Sequence, residues 1–257
     1  MSENNMGENK LWRYYDVLKF LTLINGELYF ARADKFKDKY EGAIPKQNYL
    51  HFAELYNSSV HGSSEISHGR NCERDHDGSD VRKEFLEKFS ERKRKAAISC
   101  WHLNDSESAA MWEVYSRAGQ GIAVCTTLEK LKRIKKPDGY EMEMFKVDYI
   151  DFNETFDESY INYELLPFKN KRKEFEYEHE FRIMLYKRNK AAELVYLPEE
   201  GIKLGINTAE LIDGIIASPD MAEYEVSEIQ KILDMINKLN GTGFTLKRSG
   251  LYENLHY

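Results

Sequence analysis

Three glutamates at alternate positions form the most suggestive chemical pattern in the sequence. Residues 175–186 alternate between apolar and charged side chains, which predicts a strand whose second face carries Glu176, Glu178 and Glu180. A carboxylate in such a row can accept a hydrogen bond from a sugar hydroxyl, stabilise a developing oxocarbenium ion or take a proton. Like charges in a row need cations nearby, and Arg182 offsets part of the repulsion. The pattern also fits an ordinary exposed strand in which Glu180 and Arg182 form a structural ion pair.

Cys100 and His102 form a second pattern with chemical meaning, because residues two apart on a strand point to the same face. They lie in an apolar stretch, residues 97–103, which predicts a buried strand. A cysteine beside a histidine is typical of an activated nucleophile, but the sequence offers no third group to orient the histidine. We therefore predict that Cys100 is a buried structural residue.

Two basic runs are candidate phosphate contacts. One begins at Arg92 and ends at Lys95, and the other covers residues 169–173. Clusters of Lys and Arg can neutralise phosphate groups of a nucleotide or a nucleic acid. Either run can instead be a solvated loop or helix end, since cations near a helix C-terminus complement its dipole. A local phosphate contact by the first run stays open on the sequence alone.

Residues 57–80 form a long polar stretch that contains metal-type ligands. These are His61, His68, Cys72 and His76. Their successive spacings of seven, four and four residues lack the close pairing that orients the ligands of a zinc site. We therefore predict no metal site, and we expect a mobile polar insertion, since loops of this length are commonly mobile or functional.

Length and composition favour one folded domain. The chain has 257 residues, 42% of them hydrophobic, and its 17 Tyr, 13 Phe and 3 Trp exclude a disordered or low-complexity protein. A net charge of −7 disfavours a globally basic nucleic-acid binder but leaves a local basic patch open. Three cysteines without paired spacing indicate a reducing compartment, and no apolar run is long enough to span a membrane. We therefore expect a cytoplasmic protein with no membrane partner.

Hydrophobic periodicity and turn residues predict one α+β domain over residues 11–257, after a disordered polar tail at residues 1–10. The chain opens strand, helix, strand, and that helix ends at Asn25-Gly26, which tolerate a left-handed cap. The predicted strands are residues 11–15, 27–31, 97–103, 122–126, 139–151, 175–186, 212–217 and 244–247. The predicted helices are residues 17–24, 46–56, 81–96, 106–117 and 226–236.

Several blocks of the sequence, by their order and spacing, resemble domain of unknown function 2971, a family found mainly in bacteria. The first block runs from Leu11 to Tyr15 and continues with Asn-Gly-Glu-Leu at residues 25–28. The last block, residues 177–182, is similar to the family's Tyr-Glu-x-Glu-aromatic-Arg strand. The blocks between them are residues 36–41, 98–101, 111–115 and 121–124.

The layout of that family resembles the ADP-ribosyltransferase fold, an α+β fold in which two small antiparallel or mixed sheets with flanking helices form a cleft for NAD. The resemblance implies that Glu180 stabilises a ribosyl cation and that Glu178 assists it. It also implies that Arg13 contacts the diphosphate or ribose of NAD, with Tyr14 beside it. The other residues implied at the cofactor are Tyr29, Ser99 and Trp101.

The leading hypothesis is therefore an NAD-using, ADP-ribosyltransferase-like enzyme that transfers ADP-ribose or cleaves NAD. The acceptor is a protein, a nucleic acid or a small molecule, and the resemblance implies a bacterial effector, toxin or defence protein. One alternative is a non-catalytic module of the same fold that binds a nucleotide or a partner protein. Another is a nucleic-acid-processing or RNA-binding protein whose two basic runs would have to lie on one face.

Overall fold

The computed structural model describes residues 10–61, 87, 90–116, 119–157, 159 and 164–252. The predicted polar tail, apart from Lys10, lies outside these residues, and so does the part of the predicted insertion that follows His61. Half of the helix predicted at residues 81–96, namely residues 81–86, 88 and 89, lies outside them as well. Every residue predicted at the catalytic and cofactor site is among those described.

Eleven strands within the described residues form a nine-stranded sheet and a two-stranded sheet. Their bounds are β1 Lys10–Asp16, β2 Glu27–Arg32, β3 Ala96–Leu103, β4 Gly121–Thr127, β5 Glu141–Lys146, β6 Asp148–Ile150, β7 Asn170–Arg172, β8 Glu180–Tyr186, β9 Ile202–Gly205, β10 Gly214–Ala217 and β11 Leu246–Arg248. The small sheet is the parallel pair of β6 and β7. The pairs of the large sheet are antiparallel apart from β10 with β11.

The α-helices connect these strands. Their bounds are α1 Val17–Ile24, α2 Lys46–His61, α3 Ala109–Tyr115, α4 Leu128–Lys132, α5 Thr208–Leu211 and α6 Glu223–Asn240. Asp16 caps α1, because its side chain accepts a hydrogen bond from the backbone N–H of Lys19 at 2.9 Å. The chain leaves α1 through Gly26, whose φ of +89° lies in the left-handed region that glycine occupies without strain. The mixture of helices and strands confirms the predicted α+β class.

β3 is the branch point of the large sheet. One edge of β3 pairs with β8 from Ala96 to His102. The other edge is shared, because β2 pairs with Ala97 and Ile98 while β1 pairs with His102 and Leu103. The strands expected to form two small sheets are therefore joined through β3 as arms of one branched sheet. One arm contains β1, β4, β10 and β11, and the other contains β2 and β9.

Arg13 lies where the two arms separate. From β1 its guanidinium donates hydrogen bonds to the Ser99 hydroxyl on β3 and to the Tyr29 carbonyl on β2, the latter at 3.1 Å. The Ser99 hydroxyl also accepts a hydrogen bond from Trp101 Nε1 at 3.2 Å. The guanidinium carbon lies 5.1 Å from the ring centroid of Tyr15 and 5.8 Å from that of Trp101. One side chain thus links three strands at the branch.

The two faces of the large sheet differ near this branch. Cross-strand partners share a face, so the pairing of Trp12 with His102 and of His102 with Glu180 places these three side chains together. We call this side the glutamate face. Arg13 and Trp101 follow or precede these residues by one position and therefore point to the opposite side, which we call the arginine face.

Apolar side chains pack on both faces. The main core lies on the arginine face, and its fully buried members include Leu11, Phe20, Leu28, Phe30, Trp101, Ile122 and Ile183. Two smaller clusters lie on the glutamate face. One contains Trp12, Tyr14, Met111 and Trp112, and the other contains Ile98, Phe168 and Met184. Much of the aromatic excess of the sequence is therefore core packing, since each ring buries a large area.

Two predicted strands are wrong in extent. The segment 175–186 is a strand only from Glu180 onward. The segment 139–151 is two strands in different sheets, because β5 pairs with β8 whereas the chain after Val147 pairs with β7. An alternating pattern indicates extended backbone but does not identify the partner strand. The other predicted elements within the described residues occur within a few residues of their expected bounds.

Replacing Ser99 with Ala tests the link at the branch. The change leaves the donors of Arg13 and Trp101 without their shared acceptor in a buried site, so we expect the free energy of unfolding to fall by about 1 to 3 kcal/mol. Urea unfolding followed by circular dichroism measures this loss. Ser106→Ala, at an exposed position, is the control and should cost less than about 0.5 kcal/mol. Equal stability of the two variants would contradict the link.

Candidate active site on the glutamate face

Glu178 and Glu180 come together because the backbone turns sharply between them. Residues Lys173–Glu178 form a 3₁₀ helix, and His179 follows with φ 39° and ψ 52°. A left-handed conformation is uncommon for a residue with a side chain, and here it ends the helix and starts β8. Both carboxyl groups then reach Lys171, whose Nζ donates to Glu180 Oε1 at 2.6 Å and to Glu178 Oε2. All three side chains are buried.

Arg182 extends this cluster into the interior. Its Nε donates to Glu180 Oε2 at 2.5 Å, and its two terminal nitrogens donate to the carboxylate oxygens of Glu41 at 2.7 and 2.9 Å. A further hydrogen bond joins one of these nitrogens to the carbonyl oxygen of Phe168 at 2.8 Å. The Arg182 side chain has no exposed surface. The ion pair between Glu180 and Arg182 that the sequence offered as an alternative is therefore present.

The balance of charge explains the pKa values of the two glutamates. Burial raises the pKa of Glu178 to about 8, and the hydrogen bond and charge of Glu180 raise it as well. Burial alone would also raise the pKa of Glu180. The charge of Arg182, the hydrogen bond from Glu178 and the charge of Lys171 oppose this effect and hold the pKa of Glu180 well below its usual range. At neutral pH the pair therefore holds one proton, which is bound to Glu178, while Glu180 is ionised.

Two tyrosines lie within the electrostatic reach of this pair. The Tyr149 hydroxyl accepts a hydrogen bond from the backbone N–H of Glu180 at 2.8 Å. Burial raises the pKa of Tyr149, and the charge of Glu180 contributes to the increase. Tyr115 on α3 is 42% exposed as a whole, but local desolvation of its hydroxyl raises its pKa, with further contributions from the charges of Glu178 and Glu180. Both hydroxyls are therefore neutral hydrogen-bonding groups beside the carboxyl pair.

Tyr14 and His102 form the aromatic side of the same region. The Tyr14 ring packs edge-on against His102, with centroids 6.4 Å apart, and against Trp112, with centroids 4.9 Å apart. Its hydroxyl accepts a hydrogen bond from the backbone N–H of Ser108, which precedes α3, at 2.8 Å. His102 is the cross-strand neighbour of Glu180. The glutamate face thus combines a carboxyl pair with flat rings.

The structure divides the predicted site residues between the two faces. Glu178, Glu180 and Tyr14 share the glutamate face. Arg13, Ser99 and Trp101 meet on the arginine face. Tyr29 gives only its backbone carbonyl to Arg13, while its hydroxyl donates to the carbonyl oxygen of Glu200 at 3.0 Å. Arg13 and Tyr14 separate because neighbouring residues of a strand point in opposite directions.

Lys171 and Glu41 are site residues that the sequence reasoning missed. Lys171 lies in the basic run 169–173, which pointed to phosphate or solvent, yet its ammonium group is buried between the carboxyl groups of Glu178 and Glu180. Glu41 ends one of the family-like blocks, but nothing in its neighbourhood identifies Arg182 as its partner, 141 positions later in the chain. The alternation of charge on β8 was the available signal for a long-range cluster.

The two basic runs approach one short segment of the chain. Lys93 Nζ donates to the carbonyl oxygen of Lys39 at 2.9 Å. Arg172 pairs with Asp38 at 3.3 Å, and its guanidinium lies over the ring of Tyr40 at 4.3 Å. Parts of both runs are therefore occupied by protein contacts, and Lys171 is held inside the charge cluster.

Within the described ranges, no three or more His, Cys, Asp or Glu side chains are grouped so that they could hold a metal ion. Cys100 is partly buried and Cys125 is buried, and both are free thiols. Among the helices that the structure describes, none has both the length and the apolar character needed to cross a membrane.

Comparison with known proteins finds a family match and a structural likeness. The family described as Protein of unknown function (DUF2971) matches residues 111–183, which confirms the resemblance over that part of the chain. This range contains Glu178 and Glu180, whereas the block around Arg13 lies outside it. The chain is also similar to DarT of Thermus sp. 2.9 in complex with ADP-ribosylated ssDNA, with a TM-score of 0.38, 10% identity and 93% of each chain covered. No curated protein matches the sequence.

The stability of the protein should fall as the pH rises towards 8. Because the pKa of Glu178 is raised from 4.5 to about 8, the folded state binds more protons than the unfolded state in this range. The stability from this proton is complete below pH 4.5 and is lost as the pH passes through about 8. In Glu178→Gln the side chain at position 178 is neutral at every pH. Between pH 6 and pH 9 the free energy of unfolding of this variant should therefore fall less than that of the wild type. The difference should be at least about 1.4 kcal/mol, the equivalent of one pKa unit.

Urea unfolding at both pH values measures these free energies. Glu176→Gln, at an exposed position on the same 3₁₀ helix, is the matched control and should keep the pH dependence of the wild type. A wild type whose stability changes with pH no more than that of Glu178→Gln would show that Glu178 carries no such proton.

Arg182→Met should destabilise the protein by about 3 to 5 kcal/mol, because it leaves the buried carboxylates of Glu41 and Glu180 without their shared cation. Adding Glu41→Gln removes one of the two stranded charges, so the double variant should be more stable than Arg182→Met alone. Lys231→Met breaks an exposed pair with Glu228 and should cost less than about 1 kcal/mol. Urea unfolding of the four proteins checks the order, and a double variant no more stable than Arg182→Met contradicts it.

Proposed function

We propose that the protein breaks the N-glycosidic bond of NAD, either by hydrolysis or by transfer of ADP-ribose to an acceptor. The observation that carries the proposal is the buried carboxyl pair of Glu178 and Glu180, held by Lys171 next to Tyr14 and His102. Loss of nicotinamide leaves positive charge on the ribose, and a fixed carboxylate stabilises that charge as it develops. The resemblance of residues 177–182 to a Glu-x-Glu strand supports the same roles.

The net charge of the cluster supports a substrate cation at this place. With every group ionised, the carboxylates of Glu41, Glu178 and Glu180 exceed the cations Lys171 and Arg182 by one negative charge. In the free protein the proton on Glu178 removes that excess. A ribosyl cation beside the pair would replace the proton, because an uncompensated charge is costly in a buried site. Glu180 is ionised throughout, whereas Glu178 is protonated in the free protein and loses its proton when the ribosyl cation is present.

Tyr14 is the member of the predicted cofactor set that packs against His102, the cross-strand neighbour of Glu180. We assign it to the nicotinamide riboside end of NAD, where its ring can pack against the ligand.

Water is the acceptor in hydrolysis, and a protein, a nucleic acid or a small molecule is the acceptor in transfer. The proposal includes a role as a bacterial effector or defence protein, which only the family resemblance supports.

Arg13 favours a second candidate, a module that binds a nucleotide without catalysis. No carboxylate among the described residues pairs with its guanidinium, which is partly buried where the two arms of the sheet separate. Such a cation fits a phosphate group, with Ser99 and Trp101 beside it. Because Arg13 lies on the face opposite to Glu180, binding at this place would not bring a nucleotide to the carboxyl pair.

The first candidate predicts that the protein releases nicotinamide from NAD and that Glu180→Gln lowers the rate by about 10²-fold or more. Glutamine keeps the shape of the side chain and removes its charge. Incubation with NAD labelled in the nicotinamide ring, followed by chromatography, measures release. Glu176→Gln, at an exposed position, should keep the wild-type rate. Thermal unfolding of each variant ensures that the rates compare folded proteins.

The outcomes separate the two candidates. Equal rates for wild type and Glu180→Gln contradict the catalytic proposal, as does a wild type that neither releases nicotinamide nor binds NAD by calorimetry. A wild type that binds NAD without turnover, and that loses binding in Arg13→Met but not in Glu180→Gln, identifies the binding module.

A further inference from the structure

His102 is a buried titratable group for which the proposed reaction has so far no role. It lies near the end of β3, is 3% exposed and faces Glu180 across the strand pair. Its Nδ1 lies 2.6 Å from the carbonyl oxygen of Glu178. Its Nε2 is buried and has no hydrogen-bond partner among the described residues. A buried polar atom without a partner costs free energy and calls for an explanation.

The contact with Glu178 fixes the tautomer of His102. A carbonyl oxygen can only accept a hydrogen bond, so Nδ1 carries the hydrogen and donates it. In the neutral ring Nε2 then holds a lone pair. Burial lowers the pKa of His102 although the hydrogen bond to Glu178 opposes it, and the proximity of His179 lowers it further. The ring is therefore neutral at pH 7, with a free basic nitrogen.

The groups that face His102 come from each neighbouring element. Tyr14 on β1 packs edge-on against the ring, and Glu180 lies beside it on β8. The ring of His179 stacks on His102 with centroids 5.9 Å apart. Cys100 precedes it by two positions on the same face of β3, and burial raises the pKa of that thiol. The side chain of His179 is itself exposed.

We propose that His102 is a further catalytic residue, whose Nε2 takes the proton of the nucleophile that attacks the ribosyl carbon. This inference rests on the proposed cleavage of NAD. It follows from the position of the lone pair on the strand next to the carboxylate that stabilises the cation. A carboxylate held between Lys171 and Arg182 cannot serve as the base as well, since both of its oxygens are engaged.

The bond between the nicotinamide nitrogen and the ribosyl carbon breaks, and its electron pair goes to nicotinamide. A lone pair of the nucleophile, a water or an acceptor hydroxyl, forms the new bond to that carbon. The proton of the nucleophile moves to Nε2 and gives an imidazolium, which later releases it to solvent. Nicotinamide, the ribosylated product and one proton leave the enzyme.

His102→Asn isolates the role of Nε2. The amide nitrogen of asparagine can occupy the place of Nδ1 and keep the hydrogen bond to the carbonyl of Glu178, while nothing remains at Nε2. We expect kcat to fall by about 10²-fold or more with little change in the KM for NAD. The control is Glu176→Gln, at an exposed position on the preceding 3₁₀ helix, and it should keep the wild-type kcat.

The pH dependence gives a readout that a structural role would not change. In the wild type, kcat should fall at acid pH as His102 becomes protonated, with a midpoint below the ordinary 6.5. A second limb near pH 8 belongs to Glu178. His102→Asn should lose the lower limb and keep the upper one. In His102→Ala, added imidazole should restore part of kcat in proportion to its free base.

Each outcome bears on the inference. Turnover by His102→Asn at the wild-type rate, with both limbs present, overturns the role of His102 and leaves the cleavage of NAD standing. Absence of nicotinamide release by the wild type overturns both. Nitrogen-15 spectra of the side chain test the tautomer without activity. They should show a protonated Nδ1 and an unprotonated Nε2 at pH 7, and the opposite tautomer contradicts the inference.

Discussion

A chain of buried charges, from Glu41 through Arg182, Glu180 and Lys171 to Glu178, is the constraint on which the arrangement of this protein depends. A charge taken out of water costs several kcal/mol unless a partner of opposite sign meets it. The segments that carry these residues must therefore come together. They are the loop before α2, the strands β7 and β8, and the turn at His179. Lys171 on β7 and Tyr149 on β6 both join the small parallel sheet to Glu180 of the large one.

The same chain links stability to chemistry. It contains one carboxylate more than it has cations, so the folded protein needs one further positive charge at neutral pH. A proton on Glu178 meets that need in the free protein, and a substrate cation could meet it during a reaction. A core built only for stability would gain from apolar side chains in place of these charges, since buried ion pairs seldom stabilise more than well-packed apolar residues. This excess charge is the feature on which the proposed cleavage of NAD depends.

The sequence predicted the elements of this fold better than their faces. Local patterns predicted Glu178 and Glu180 as site candidates, and they predicted the strands β1 to β4. The separation of Arg13 from Tyr14 follows from strand alternation alone, but which of the two shares a face with Glu180 depends on the register of β1 against β3, in which Trp12 pairs with His102. The left-handed backbone of His179 could not be predicted either, because histidine, unlike glycine, does not indicate a positive φ. Partners such as Glu41 and Arg182, far apart in sequence, become visible only in the folded chain.

The most direct test of this account is the titration of the glutamate carboxyl carbons by NMR, in protein labelled with carbon-13 and assigned through Glu178→Gln and Glu180→Gln. The carboxyl group of Glu178 should titrate near pH 8, and that of Glu180 should stay ionised from pH 4 to pH 10. Titration of both groups near the ordinary value of 4.5 would show that the cluster holds no shared proton and would contradict the proposed role of the pair.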